Sequence, residues 1–180
     1  GFTFDAGLGL STTGASVADG DDSVVVLTLD GDVVNGDELA GALSYSEADG
    51  NVESADGVAA QETTGQDVTN NVAAINPAFS SAEVTDANAN QLRVTFDANV
   101  EATDATGFSV TTDDATALNV QGYSAVEGSD TVVLNLDRAV TSGETITASY
   151  DAGAGNVVSS VDGSAAQGFT DNAVTNSVVA

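Results

Sequence analysis

Oxygen ligands are plentiful in this chain, while His, Cys and Lys are missing. Asp86-x-Asn88-x-Asn90 has the alternating oxygen spacing of a calcium loop, and calcium is a hard cation that wants clustered oxygens. The match is incomplete: the sixth position is Gln91 where such loops place Gly, and the twelfth is Asp97 where they place Glu. Calcium held by Asp86, Asn88 and Asn90 is nevertheless the one metal site to expect. Other carboxylates gather at Asp19, Asp21 and Asp22, at Asp30 and Asp32, and at Asp113 and Asp114. Their ordinary reading is a solvated acidic turn.

The chain has no His and no Cys, and its two cations are Arg93 and Arg138, so it has no Lys. Histidine triads, thiolate nucleophiles, Schiff bases and Lys-derived isopeptide links are therefore all excluded. Scattered acids could in principle supply a hydrolytic carboxylate pair, but nothing singles one out. The expectation is a protein that is not an enzyme and has no cofactor, calcium apart. Tyr45 and Tyr150 could stack a ligand. Their place at the end of apolar runs favours core tyrosines whose hydroxyls reach backbone. Gly50-Asn51 and Gly155-Asn156 read as turns in which glycine takes a positive φ.

Both of those pairs belong to a repeat. Val26-Leu27-Thr28-Leu29-Asp30 returns as Val133-Leu134-Asn135-Leu136-Asp137, Ala59-Ala60-Gln61 as Ala165-Ala166-Gln167, and Val68-Thr69-Asn70 as Val174-Thr175-Asn176. Gly1-Phe2 matches Gly107-Phe108, whereas residues 77–106 have no counterpart. Such a period points to tandem modules, here residues 1–73 and 74–180, joined near the only proline, Pro77.

Within each copy, apolar and polar residues alternate with a period of two. In Gln91-Leu92-Arg93-Val94-Thr95-Phe96, the apolar side chains face one way, as in a half-buried strand. Similar strands are expected at Phe2–Phe4, Ser23–Asp30, Glu38–Tyr45 and Glu62–Thr64, and in the second copy at Phe108–Val110, Thr131–Asp137, Thr145–Tyr150 and Gly168–Thr170. Turns such as Asn35-Gly36 and Ser142-Gly143 separate them. Ala55–Gln61 and Ser160–Gln167 suggest short helical turns. The fold class is all-β: two antiparallel β-sandwiches in tandem.

The charge narrows the setting. With 28 acids against two cations, the net charge is −26. That surface repels itself in dilute salt, but the Debye length falls to ~3 Å at 1 M. A folded, Lys-free, Asp-rich chain fits a hypersaline environment. Nucleic acid is excluded as a partner because nothing could neutralise its phosphates. No apolar run reaches the ~20 residues of a membrane span.

The second copy opens with Pro77-Ala78-Phe79-Ser80-Ser81-Ala82-Glu83-Val84, then the Leu92-x-Val94-x-Phe96 strand and Gly107-Phe108-Ser109-Val110. Val133-Leu134-Asn135-Leu136, the Ser142-Gly143-Glu144 turn and Gly155-Asn156-Val157 follow. This order resembles the SwmB-type bacterial Ig-like modules found in tandem in long surface and secreted proteins. The resemblance implies Ig-like sandwiches and an extracellular structural or adhesive role, and it assigns no catalytic residues.

The first module would lack the first two strands. Their inward residues should be Phe79, Ala82 and Val84, then Leu92, Val94 and Phe96. At ~1.5–3 kcal/mol per large buried side chain, their loss is on the order of 10 kcal/mol, against ~5–15 kcal/mol of net stability for a domain. Preceding chain or a neighbouring subunit would have to complete the module. The expected function is a structural module of an extracellular filament, surface layer or giant surface protein of a halophilic microbe. Its partners would be copies of itself. The alternatives are a calcium-dependent or glycan-binding adhesin on the cell surface and an accessory domain of a secreted enzyme. The melting temperature should fall steeply as NaCl drops from about 1 M to about 50 mM. Calorimetry across that range checks this, and an unchanged transition would refute the halophilic reading.

Overall fold

The alternating pattern becomes strands almost throughout. The computed structural model describes residues 1–113, 117–125 and 129–180, so Asp114 of the acidic turns lies outside the described residues. The chain divides into two compact units, Gly1–Ala73 and Ala74–Ala180. Both are all-β; among the described residues the only helical element is one 3-10 turn, Asp86–Asn88.

The second unit contains β6 (Phe79–Thr85), β7 (Gln91–Phe96), β8 (Val100–Glu101), β9 (Phe108–Thr112), β10 (Ala117–Leu118), β11 (Val120–Ala125), β12 (Thr131–Leu136), β13 (Ile146–Tyr150), β14 (Val158–Ser159) and β15 (Phe169–Ser177). One layer runs β10-β9-β13-β15 and the other β15-β6-β7-β12-β11. β15 serves both. Phe169–Val174 pair antiparallel with β13, and Thr175–Ser177 pair parallel with β6. β10 and β11, separated only by Asn119, sit in opposite layers in the same way. The sandwich is thus nearly a flattened barrel, and full closure is what removes free edges.

The inward residues expected of the head are buried: Ala82, Val84, Leu92, Val94 and Phe96 are at most 3% exposed, and Phe79 packs against them. Leu134, Ile146, Val110 and Tyr150 face them in one core. Pro77 is also fully buried, and Gln167 N–H donates to its carbonyl at 2.8 Å. The proline therefore belongs to the second unit's fold and is not a free linker.

The first unit contains β1 (Phe2–Phe4), β2 (Thr12–Ala18), β3 (Asp21–Leu29), β4 (Leu43–Tyr45) and β5 (Thr63–Gln66). β1, β4 and β5 form one sheet, and β2 and β3 form a separate hairpin. Its buried cluster is small, Phe4, Leu39 and Ala42. β2 and its counterpart β11 were not expected from the sequence. Each carries a mid-strand glycine at a register shift, Gly14 and Gly122, and such bulges break the alternating pattern.

The expected helical turns are instead loops that close on isolated bridges, Glu53 to Ala59 and Val158 to Ala165. Gly50 and Gly155 correct a second expectation, since neither takes a positive φ. A Cβ on either would run into the ring of Tyr45 or Tyr150. The tyrosine ring packs against the glycine, and its hydroxyl accepts a backbone N–H, from Val52 at 3.1 Å and Val157 at 2.8 Å. The recurring Asn is a clamp as well. Asn70 donates to the carbonyls of Val34 and Asp37, and Asn176 to those of Thr141 and Glu144.

Many acids are structural acceptors. Asp30 takes the Ser11 N–H at 2.7 Å, and its counterpart Asp137 takes that of Asn119 at 3.2 Å. Asp97 accepts from Ala78, and Asp162 from Ile75 and Ser164. The Ile75 N–H chiefly holds Asp162 down to about pKa 2. Glu144 falls to about 2 because Arg138 hydrogen-bonds its carboxylate, helped by the Thr141 N–H.

Two measurements follow. Gly155→Ala should cost about 2 kcal/mol, because overpacking forces the Tyr150 ring and its hydroxyl bond apart; an unmoved urea midpoint would refute that packing. Glu144 binds a proton more weakly folded than unfolded, so its contribution is whole above about pH 4.5 and lost as pH falls towards 2. Urea midpoints in Glu144→Gln should therefore decline less than wild type between pH 5 and 2.

Candidate strand-accepting site

The two units share one plan, and the difference between them locates a site. β12 is flanked by β7 and β11, whereas among the described residues β3 pairs with β2 alone. β15 continues past β13 to pair with β6; in the first unit the matching residues 69–71 are in no strand. Among the described residues the first unit has no strands equivalent to β6 and β7.

Burial records the consequence. Val132, Leu134 and Leu136 are 0%, 0% and 5% exposed. Their matches Val25, Leu27 and Leu29 are only partly buried, although β3 carries nearly the same apolar residues. Val24 and Val26 stand 43% and 48% exposed on the same strand. An uncovered strand edge with apolar side chains invites another strand.

A cleft of about 360 Å³ is lined by Gly1-Phe2, Ala15–Val17, Asp22, Val25, Tyr45 and the Asp49–Glu53 loop. Phe2 and Tyr45 pack there as tilted rings, 4.9 Å between centroids. The second unit has the same tilted pair, Phe108 and Tyr150 at 4.6 Å; there Ala102 and Ala105 of the stretch after β7 pack against the core, and a cleft of about 430 Å³ remains beside Gly107, Phe108 and Tyr123. β8 pairs with β14, and Val100 is fully buried. Asn156 then grips the next residues, donating to Asp104 at 2.7 Å and accepting the Thr103 N–H at 3.3 Å. Its counterpart Asn51 is exposed and makes no side-chain hydrogen bond among the described residues.

One cleft residue differs in kind. Tyr123 pairs with Leu134 across β11–β12, and its hydroxyl donates to the Ala102 carbonyl at 2.7 Å. In the first unit, Ala15 pairs with Leu27 in the same place, past the same bulge. Sequence matching missed this correspondence because little besides the bulge glycine recurs in β2 and β11.

The calcium residues lie elsewhere, in the second unit. Asp86, Asn88 and Asn90 are all exposed around the 3-10 turn. Asp86 accepts the Val179 N–H at 3.1 Å, which ties the C-terminal segment to that turn. Among the described residues no group of three or more acids is arranged to hold a metal ion. Asp21 is drawn into its own turn, its carboxyl held below the usual range by hydrogen bonds from Ser23. Among the described residues no helix is long and apolar enough to cross a membrane.

No curated protein matches the sequence. Among solved structures, domains 1–6 of surface layer protein SbsC share 21% identity over 57% of this chain and 14% of that one, with a TM-score of 0.47. The N-terminal part of the bacterial S-layer protein SbsC shares 18% identity over 58% of this chain and 24% of that one, with a TM-score of 0.44. This chain thus spans about a quarter or less of those lengths. The SWM_repeat family model, described as "Putative flagellar system-associated repeat", matches residues 54–155. The match begins in the first unit, crosses into the second and covers more than half of the sequence, so the chain belongs to the SWM repeat family.

Proposed function

We propose that this chain is a structural repeat segment of an extracellular filament, surface layer or giant surface protein of a halophilic microbe. It works by linear assembly and not by catalysis. The observation that carries the reading is the family match, which runs through the boundary between two units of one plan. A repeat that extends across such a boundary is built for arrays, in which neighbours contact chiefly along the chain.

Three features support it. His, Cys and Lys, which supply many catalytic bases and nucleophiles, are missing from the sequence. The net charge of −26 suits molar salt, where surface repulsion is screened. The open edge of β3 gives the first unit a place where a neighbouring element, in the same polypeptide or an adjacent subunit, can add strands. An unclosed head-to-tail contact of that kind generates filaments and not rings.

Native material answers the question. Recovered from the cell surface, it should either run as a polypeptide of many repeats under denaturing conditions or form elongated particles in about 1 M NaCl by electron microscopy. A discrete 17.7 kDa species that stays monomeric in high salt would overturn the reading.

A further inference from the structure

We propose that the second unit is built to resist stretching. Its entering segment, residues 75–86, and its leaving segment, residues 162–179, lie side by side in parallel and lock against each other in shear. This deepens the structural-repeat reading and rests on it for the tension that an array carries along its chain. The lock itself lies within the second unit.

The two segments meet along their whole length. Ile75 N–H donates to Asp162 at 2.8 Å, and the Asn76 side chain donates to the Ala165 carbonyl at 2.9 Å. Gln167 N–H donates to the Pro77 carbonyl at 2.8 Å, and the Phe79 and Phe169 rings lie 4.6 Å apart. β6 and β15 then pair in parallel, from Glu83 with Thr175 to Thr85 with Ser177. Just beyond them, the Val179 N–H donates to Asp86 at 3.1 Å. The partner's number rises at every step, so both segments run the same way along the unit.

That orientation decides how tension acts. A pull on Ile75 and on Val179 draws the two segments in opposite directions along their common axis, and the bonds between them are loaded together. Had the two segments run antiparallel, the chain would enter and leave at one end, and the bonds would open one at a time. A single hydrogen bond contributes only ~0.5–1.5 kcal/mol net, so resistance comes from sharing the load.

The flanks oppose sliding as well. β6 is also paired with β7, and β15 with β13. Ala82 and Val84 of β6 and Val174 of β15 are buried in the core. A slip of one residue would turn each of them to the opposite face. Asn176 ties β15 to the Thr141 and Glu144 carbonyls.

Single-molecule pulling on the full chain tests this. The sequence has no Cys, so two introduced thiols are the only points of attachment. Ala74→Cys with Ala180→Cys, both at exposed positions, loads the segments in shear. Ala87→Cys, also at an exposed position, with Ala180→Cys places both handles at the Asp86–Val179 end and peels the segments apart. At one loading rate, the rupture force in shear should be severalfold that in peeling, because forced unfolding reads the unfolding barrier and not the equilibrium stability. Asp162→Ala removes the acceptor for Ile75. It should lower the shear force and leave the peeling force unchanged, because peeling starts from the other end. Equal forces in the two geometries would overturn the lock. So would an Asp162→Ala effect of the same size in both geometries, as a general loss of stability produces, or an effect in neither. Such failures leave the structural-repeat reading intact, since native mass and assembly decide that one.

Discussion

The pairing of β7 with β12 governs this structure. Once β7 lies on that edge, Leu92 faces Leu134 and Val94 faces Val132, and all four lose contact with water. β6 then has a neighbour, and the far end of β15 has β6. The two layers become continuous through β15, and the plug after β7 is drawn in beside Tyr150. The first unit has the same strands on either side of that position and stays half open, with Val25, Leu27 and Leu29 only partly covered. Burial is a property of the neighbouring strand as much as of the residue, which is why near-identical strands have unequal cores.

The acidic side chains also have a structural use. Asp30, Asp97, Asp137 and Asp162 each satisfy a backbone N–H that a turn would otherwise leave unpaired. Such carboxylates fix loop shape by short-range bonds that salt screens weakly, while repulsion between exposed acids is long-ranged and screened strongly. Molar salt would thus remove the cost of the charge and leave its structural use. The same logic separates Glu144, held by Arg138 and Thr141, from exposed surface acids.

The family match gives this architecture a context. It begins at residue 54, near the end of the first unit, and stops at residue 155, before the last strand of the second. The recurring sequence and the compact unit are therefore out of phase. A periodic chain has no privileged starting point, whereas a folded unit does, because it must contain the strands that close its own core.

Residue order alone determined the all-β class, the tandem repeat and the inward faces of the head strands, since alternation and self-similarity are local properties. It also placed the tyrosines with their hydroxyls on backbone. It misassigned Gly50 and Gly155, because a ring packed on a glycine and a positive φ leave the same mark in sequence. β2 and β11 stayed hidden because a bulge at Gly14 or Gly122 interrupts alternation. Only the tertiary structure decided that Ala15 stands where Tyr123 does, that β15 joins two layers, and that Asn156 clamps a segment for which Asn51 has none. Those facts depend on which strands become neighbours across long stretches of chain, and register between distant strands is fixed by the packed core.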